Sequence, residues 1–159
     1  MKNKLIINSK VSLIEIVFST LIFAVAGIIM IKSFAYGRYT QIMANDKVRA
    51  GAIAQSVAEM IKASNSVEEL NNFLDTSFTK NKNSYVEHFD KDWNLSDENQ
   101  EYELSIVLSE EKKVSGDLVS ISIFIEKNNN YPFMKKGEHK LVYSIETKKF
   151  FPHGGAYGE

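Results

Sequence analysis

A carboxylate inside an apolar run is the first candidate for chemistry in this chain. Residues 10–23 read KVSLIEIVFSTLIF, and Glu15 is the one charged side chain after Lys10. An ionisable group costs about 3 kcal/mol at the centre of a bilayer and less near its edge, so it is kept there where it has a partner or a task. A second candidate is acidic: Asp90, Asp92, Asn94, Glu98 and Glu101 put oxygen-bearing side chains at five positions of a calcium-loop pattern. Leu95 stands where that pattern needs a turn-forming glycine and no helical pattern flanks the segment, so a solvated acidic loop competes with the metal site. His88, His139 and His153 lie far apart in sequence and in no metal or nucleophile motif, and there is no Gly-rich phosphate loop. No enzymatic activity is therefore expected, and no cofactor unless the acidic segment takes calcium. With no cysteine there is neither a disulfide framework nor a thiolate metal site. Lys135, Lys136, Lys140, Lys148 and Lys149 offer charge for nucleic acid. The net charge of −6 over residues 65–159, 11 basic against 17 acidic, argues for a solvated face instead.

The elements that must position these residues begin with the apolar run. Residues 11–31 hold one charge, and a helix of that length spans about 31 Å, one hydrocarbon thickness. Lys2, Lys4 and Lys10 precede it, which favours a cytoplasmic N-terminus and an exported C-terminal part, a bias that Lys32 and Arg38 on the far side weaken. Residues 1–64 carry eight basic against three acidic side chains, a net of +5, so the two parts meet different surroundings. A secretory signal cleaved after Ser33-Phe34-Ala35 is the rival reading. Against it, the apolar run is long, Lys32 interrupts its end and helical patterning continues.

That patterning is amphipathic. Ala50, Ile53, Ala54, Val57, Met60 and Ile61 recur at steps of three and four, while Lys47, Arg49, Gln55, Glu59 and Lys62 share the other face. No proline interrupts residues 32–64, so one helix over residues 11–64 is expected, with Gly27, Gly37 and Gly51 as the points where it could loosen. Ser66 and Glu69 form a capping-box pattern ahead of Val67, Leu70, Phe73 and Leu74, which predicts a short second helix. Residues 79–101 read as a long polar connection. Tyr102, Leu104, Ile106 and Leu108 then alternate with Glu103, Ser105, Val107 and Ser109, and Val119, Ile121, Ile123 and Ile125 with Ser120, Ser122 and Phe124; Leu141, Tyr143 and Ile145 alternate in a third strand. Turn residues at Ser115-Gly116-Asp117 and 128–132 separate them, giving an antiparallel meander of at least three strands whose apolar face the helical stripe would cover. The fold class is α+β.

Lys10-Val11-Ser12-Leu13-Ile14-Glu15, followed by about twenty apolar residues, resembles the N-terminal signature of type IV pilins and of the pseudopilins of type II secretion and competence systems, usually Gly-Phe-Thr-Leu-Ile-Glu. Lys10 stands where the family has glycine. The helix with a transmembrane first half and an amphipathic second half, packed on a small antiparallel sheet, is also pilin-like. The resemblance implies a leader over residues 1–10, removed by a prepilin peptidase between Lys10 and Val11 with methylation of the Val11 amine. It implies a transmembrane half over 11–31, an amphipathic half over 32–64 and an exported α+β domain over 65–159. Glu15 would then set the axial stagger between subunits by pairing with a neighbour's N-terminal amine. The implied role is a minor structural subunit that initiates or caps a pilus or pseudopilus. Its partners would be other pilin or pseudopilin subunits, the peptidase, an inner-membrane assembly platform and the bilayer. Its location would be the bacterial cell membrane, then the filament. A permanently anchored extracytoplasmic binding or sensor domain is the alternative from another class.

Overall fold

In the computed structural model, the backbone is described for residues 2–131 and 141–153, and side chains from Leu13 onward within those ranges. The chain divides into two compact units, Met1–Ile42 and Met43–Glu159. Helix α1 covers Lys2–Ala63 without a break. It starts nine residues before the expected point because KNKLIINSK contains neither proline nor glycine to stop it. Gly27 and Gly37 do not interrupt it.

In the first unit the large apolar side chains from Leu13 to Phe34, among them Ile16, Phe18, Phe23 and Ile31, are all exposed. Two hydroxyls within this stretch turn back on the helix: Thr20 Oγ1 donates to Ile16 O at 2.8 Å and Ser33 Oγ to Ile29 O at 2.8 Å. Such bonds let polar side chains sit in an apolar surface without an unmet donor.

In the second unit, residues 43–63 of α1 lie on a sheet. Ala50, Ala54, Val57, Ala58 and Ile61 are buried there, whereas Lys47, Arg49, Gln55, Glu59 and Lys62 are exposed. The stripe is thus as expected except at Met60, which is 44% exposed at a groove. Its small alanines let the helix approach the sheet closely. Gly51 extends that logic, because a Cβ there would stand 3.3 Å from the Tyr143 ring.

Helix α2, Val67–Ser77, begins at the predicted cap: Ser66 Oγ accepts from the Glu69 N–H at 3.1 Å. Glu69 reaches back one residue further than a capping box requires, accepting from the Asn65 backbone N–H at 2.6 Å. Leu70 and Leu74 are its buried anchors.

The sheet has five antiparallel strands in sequence order: β1 Thr79–Asn81, β2 Ser84–Phe89, β3 Tyr102–Lys113, β4 Gly116–Lys127 and β5 Leu141–Pro152. The first two correct the reading of 79–101 as a connection. SYVEHF buries Tyr85, Val86 and Phe89, so its apolar residues do not keep strict alternation and period two misses it. A two-residue turn with Lys82 at φ 51 closes the β1–β2 hairpin. Strands β3 and β4 bury the alternating set that was expected except Leu108, which is half-buried, with Leu104, Ile106, Ile121, Ile123 and Ile125 fully enclosed. At Gly116 a Cβ would collide with the Phe151 carbonyl oxygen, so the hairpin next to β5 needs glycine there. In β5 the expectation fails at its first residue. A register shift beside Ile125 and Glu126 leaves Leu141 46% exposed and buries Val142, while Tyr143 and Ile145 keep the predicted face.

Candidate functional site

Glu15 sits on α1 in the unit Met1–Ile42, exposed among Leu13, Ile14, Ile16 and Val17. The helix is long and apolar enough, by length and composition, to cross a membrane once, and it lies near the N-terminus. That is compatible with single-pass anchoring. The side chains of Lys10 and Val11, where leader cleavage and methylation were expected, lie outside the described residues. So do Lys135, Lys136, His139 and Lys140.

The acidic segment between β2 and β3 does not gather its five oxygen ligands. Asp90 Oδ1 accepts the backbone N–H groups of Asp92 at 2.8 Å and Asn94 at 2.9 Å, and Oδ2 accepts from Asn94 Nδ2 at 3.3 Å. These bonds, the Asn94 backbone N–H first, hold the Asp90 carboxyl below the usual carboxylate range. Glu101 is committed elsewhere, to Lys127 at 3.2 Å and to Asn129 Nδ2 at 2.8 Å. Among the described residues no three acidic or histidine side chains converge as a metal site. The segment instead turns on Trp93, at φ 68, whose indole stacks on the Tyr102 ring with centroids 4.0 Å apart and planes at 17°.

Tyr102 of that stack also belongs to a cluster of polar side chains around Lys127. Lys127 Nζ is 3.4 Å from Asp46 Oδ2 and 3.2 Å from Glu101 Oε1. It donates to Tyr102 OH at 2.7 Å, and it lies 4.3 Å and 4.6 Å from the ring centroids of Tyr102 and Tyr131. Tyr131 OH donates to Asp46 Oδ2 at 2.8 Å. Burial, followed by the bond to the Asp46 carboxylate, raises the Tyr102 phenol well above its ordinary value, so it stays neutral. The cluster joins α1 to the end of β4 and to the chain just beyond it.

Two further charges are set by packing. Lys149, read from sequence as part of a solvated lysine face, donates to the carbonyl oxygens of Lys62 and Ser64. It therefore caps the C-terminal end of α1, where carbonyls lack helical partners and a cation is favoured. Glu87 lies beside a groove of about 340 Å³ lined by Ile53, Met60, Phe73, Phe78, Phe89 and Leu95, and burial pushes its carboxyl up.

His88 and His153 have different partners: His88, on β2, lies 3.9 Å from Glu103, and His153, just past the end of β5, lies 3.1 Å from Asp117. The cluster around Lys127 was missed by the sequence reading, although its signal is present. Asp46 falls four residues before Ala50 on the helical stripe, and Lys127 two after Ile125 on the buried face of β4. Comparison with protein-family models, curated proteins and solved structures gives no match to this chain.

Proposed function

We propose that this chain is a minor structural subunit of a pilin-like filament, anchored in a membrane by the first half of α1 before assembly. The observation that carries the reading is the division of one unbroken helix into two surfaces. Its first part exposes an apolar surface holding Glu15, and its second part is a stripe embedded in a five-stranded sheet. The first surface needs lipid or the same surface of neighbouring subunits; the second is satisfied by its own domain. The signature resemblance over residues 10–15 supports cleavage before Val11, and Glu15 then serves as the register pin between parallel helices. Catalysis and nucleic-acid binding form no part of this role. Assignment to a pilus, a secretion pseudopilus or a competence system belongs to the partners.

A second reading, a permanently anchored extracytoplasmic binding or sensor domain, is favoured by Lys10 at the position where the family signature has glycine. Two measurements separate the readings. The mature N-terminus by mass spectrometry is Val11 for the filament subunit, Met1 for the uncleaved anchor, and Tyr36 for a released domain. Glu15→Gln should leave membrane insertion intact and lower recovery in sheared filament fractions when competing with the unmodified chain. Recovery of the variant at the unmodified level removes Glu15 as a register pin.

A further inference from the structure

The buried charges around Lys127 combine an amine, a carboxylate and a second carboxylate in contact. Lys127 Nζ is 3.4 Å from Asp46 Oδ2, and those two side chains are 11% and 10% exposed. Glu101 Oε1 stands 3.2 Å from the same nitrogen. We propose that Lys127 and Asp46 condense to an intramolecular isopeptide bond joining β4 to α1, with Glu101 as the proton carrier.

The step balances without an oxidant, reductant or co-reactant. The Lys127 ammonium passes one proton by way of Glu101 to Asp46, so that a neutral amine faces a neutral carboxyl, and the freed lone pair attacks Cγ of Asp46. A second proton passes from the nitrogen to the hydroxyl of that carboxyl, the C–O bond to it breaks, and water leaves. One C–N bond forms, one C–O bond breaks, and an ammonium and a carboxylate become one neutral amide.

Three features favour the reaction. The reacting groups are held together by the fold, and well-oriented intramolecular pairs reach effective concentrations on the order of 10⁵ M or more. Tyr131 OH donates to Asp46 Oδ2 at 2.8 Å, where it polarises the carbonyl and stabilises the oxygen that becomes negative on attack. A buried ion pair bears a desolvation cost that a neutral amide does not. The Tyr102 and Tyr131 rings lie over the nitrogen and shield it from water. Bond formation follows folding, because the folded chain is what brings the three side chains together. The product would tie together two residues separated by 81 positions in the chain.

Intact mass spectrometry of the full-length chain, extracted from membranes in detergent, tests the inference directly. The folded chain should be lighter by one water than the mass calculated for its observed N-terminus, and digestion should release a branched peptide joining the segments of Asp46 and Lys127. Glu101→Gln should show the unmodified circular dichroism spectrum with the full mass. Should that variant fail to fold, Lys127→Arg keeps the positive charge and removes the reacting amine, and it should also carry the full mass. A folded unmodified chain at full mass leaves the cluster as an ion pair and overturns the proposal. Water loss that persists in Lys127→Arg overturns it too, by placing the loss elsewhere, and water loss at the unmodified level in Glu101→Gln removes Glu101 as the proton carrier.

Discussion

Val57→Asp tests the packing of helix on sheet on which the architecture of the second unit rests. Val57 is 5% exposed, within the cluster that contains Ile61, Leu104 and Ile121. Losing its burial costs about 1.5 kcal/mol. The introduced carboxylate must remain charged among apolar side chains or take up a proton. Protonation at pH 7 costs about 1.4 kcal/mol for each of roughly three pH units above the ordinary aspartate value, about 4 kcal/mol in all. That limits the charge penalty to the range seen for unpaired buried charges, and the total comes to about 5 kcal/mol against a domain stability of about 5–15 kcal/mol. The penalty has a sign as well as a size. A carboxyl whose folded-state pKa is raised binds more protons in the folded state, so stability rises as pH falls. The loss should shrink by nearly 3 kcal/mol between pH 7 and pH 5. Urea unfolding of a fragment beginning near Ala35, followed by circular dichroism at both pH values, measures this. Gln55→Asp on the exposed face is the control and should stay within about 0.5 kcal/mol of the parent. A Val57→Asp loss below about 1 kcal/mol at pH 7, or one that does not change with pH, would refute the helix-on-sheet packing.

Lys149→Met should destabilise the domain by about 1–3 kcal/mol in the same urea assay, because it leaves the Lys62 and Ser64 carbonyls without their charged donor. Faster amide exchange in the last turn of α1 should accompany that loss, and unchanged exchange would remove the capping role. Glu87→Gln should raise the melting temperature at neutral pH, since burial raises the Glu87 carboxyl and so disfavours its charged form in the folded state. The gain should disappear as pH falls through the raised pKa to below the ordinary glutamate value, and a gain that persists in acid would show that its cause is not charge. Millimolar calcium should leave the melting temperature of the unmodified domain unchanged, because Asp90 and Glu101 already bond within the protein. A rise would restore the calcium loop.

The parts of the fold that were legible in the sequence are those whose burial follows a fixed period. The helical stripe, the cap at Ser66 and the inward faces of β3 and β4 follow from steps of three, four and two. Period failed where packing is less regular. Strand β2 buries two adjacent residues, Tyr85 and Val86, and the register shift in β5 moves Leu141 out and Val142 in. Lys149 is a different case, because its partners lie 87 and 85 positions away and no local pattern could name them. Asp46 and Lys127 were readable in principle. Extending the helical stripe back by one turn and strand β4 on by one pleat places opposite charges on facing buried surfaces, and such charges pair where the two surfaces meet.

The two units assign the proposed role to separate sets of residues, and this makes Glu15→Gln and Val57→Asp informative together. Glu15 belongs to Met1–Ile42 and Val57 to Met43–Glu159, so each substitution acts within its own unit. Glu15→Gln should leave the urea midpoint of the second unit where it was, and Val57→Asp should leave membrane insertion of the apolar half unaffected. Filament recovery is then the readout on which both converge for different reasons. A subunit with an unstable domain would be lost by degradation before assembly, lowering the amount in the membrane, whereas one lacking the register carboxylate would accumulate there while filament recovery falls. The ratio of filament to membrane protein therefore separates a failure of assembly from a failure of folding. If Glu15→Gln lowers the amount in the membrane and the amount in filaments in equal proportion, the carboxylate acts on survival of the chain and the pairing of subunits through Glu15 is wrong.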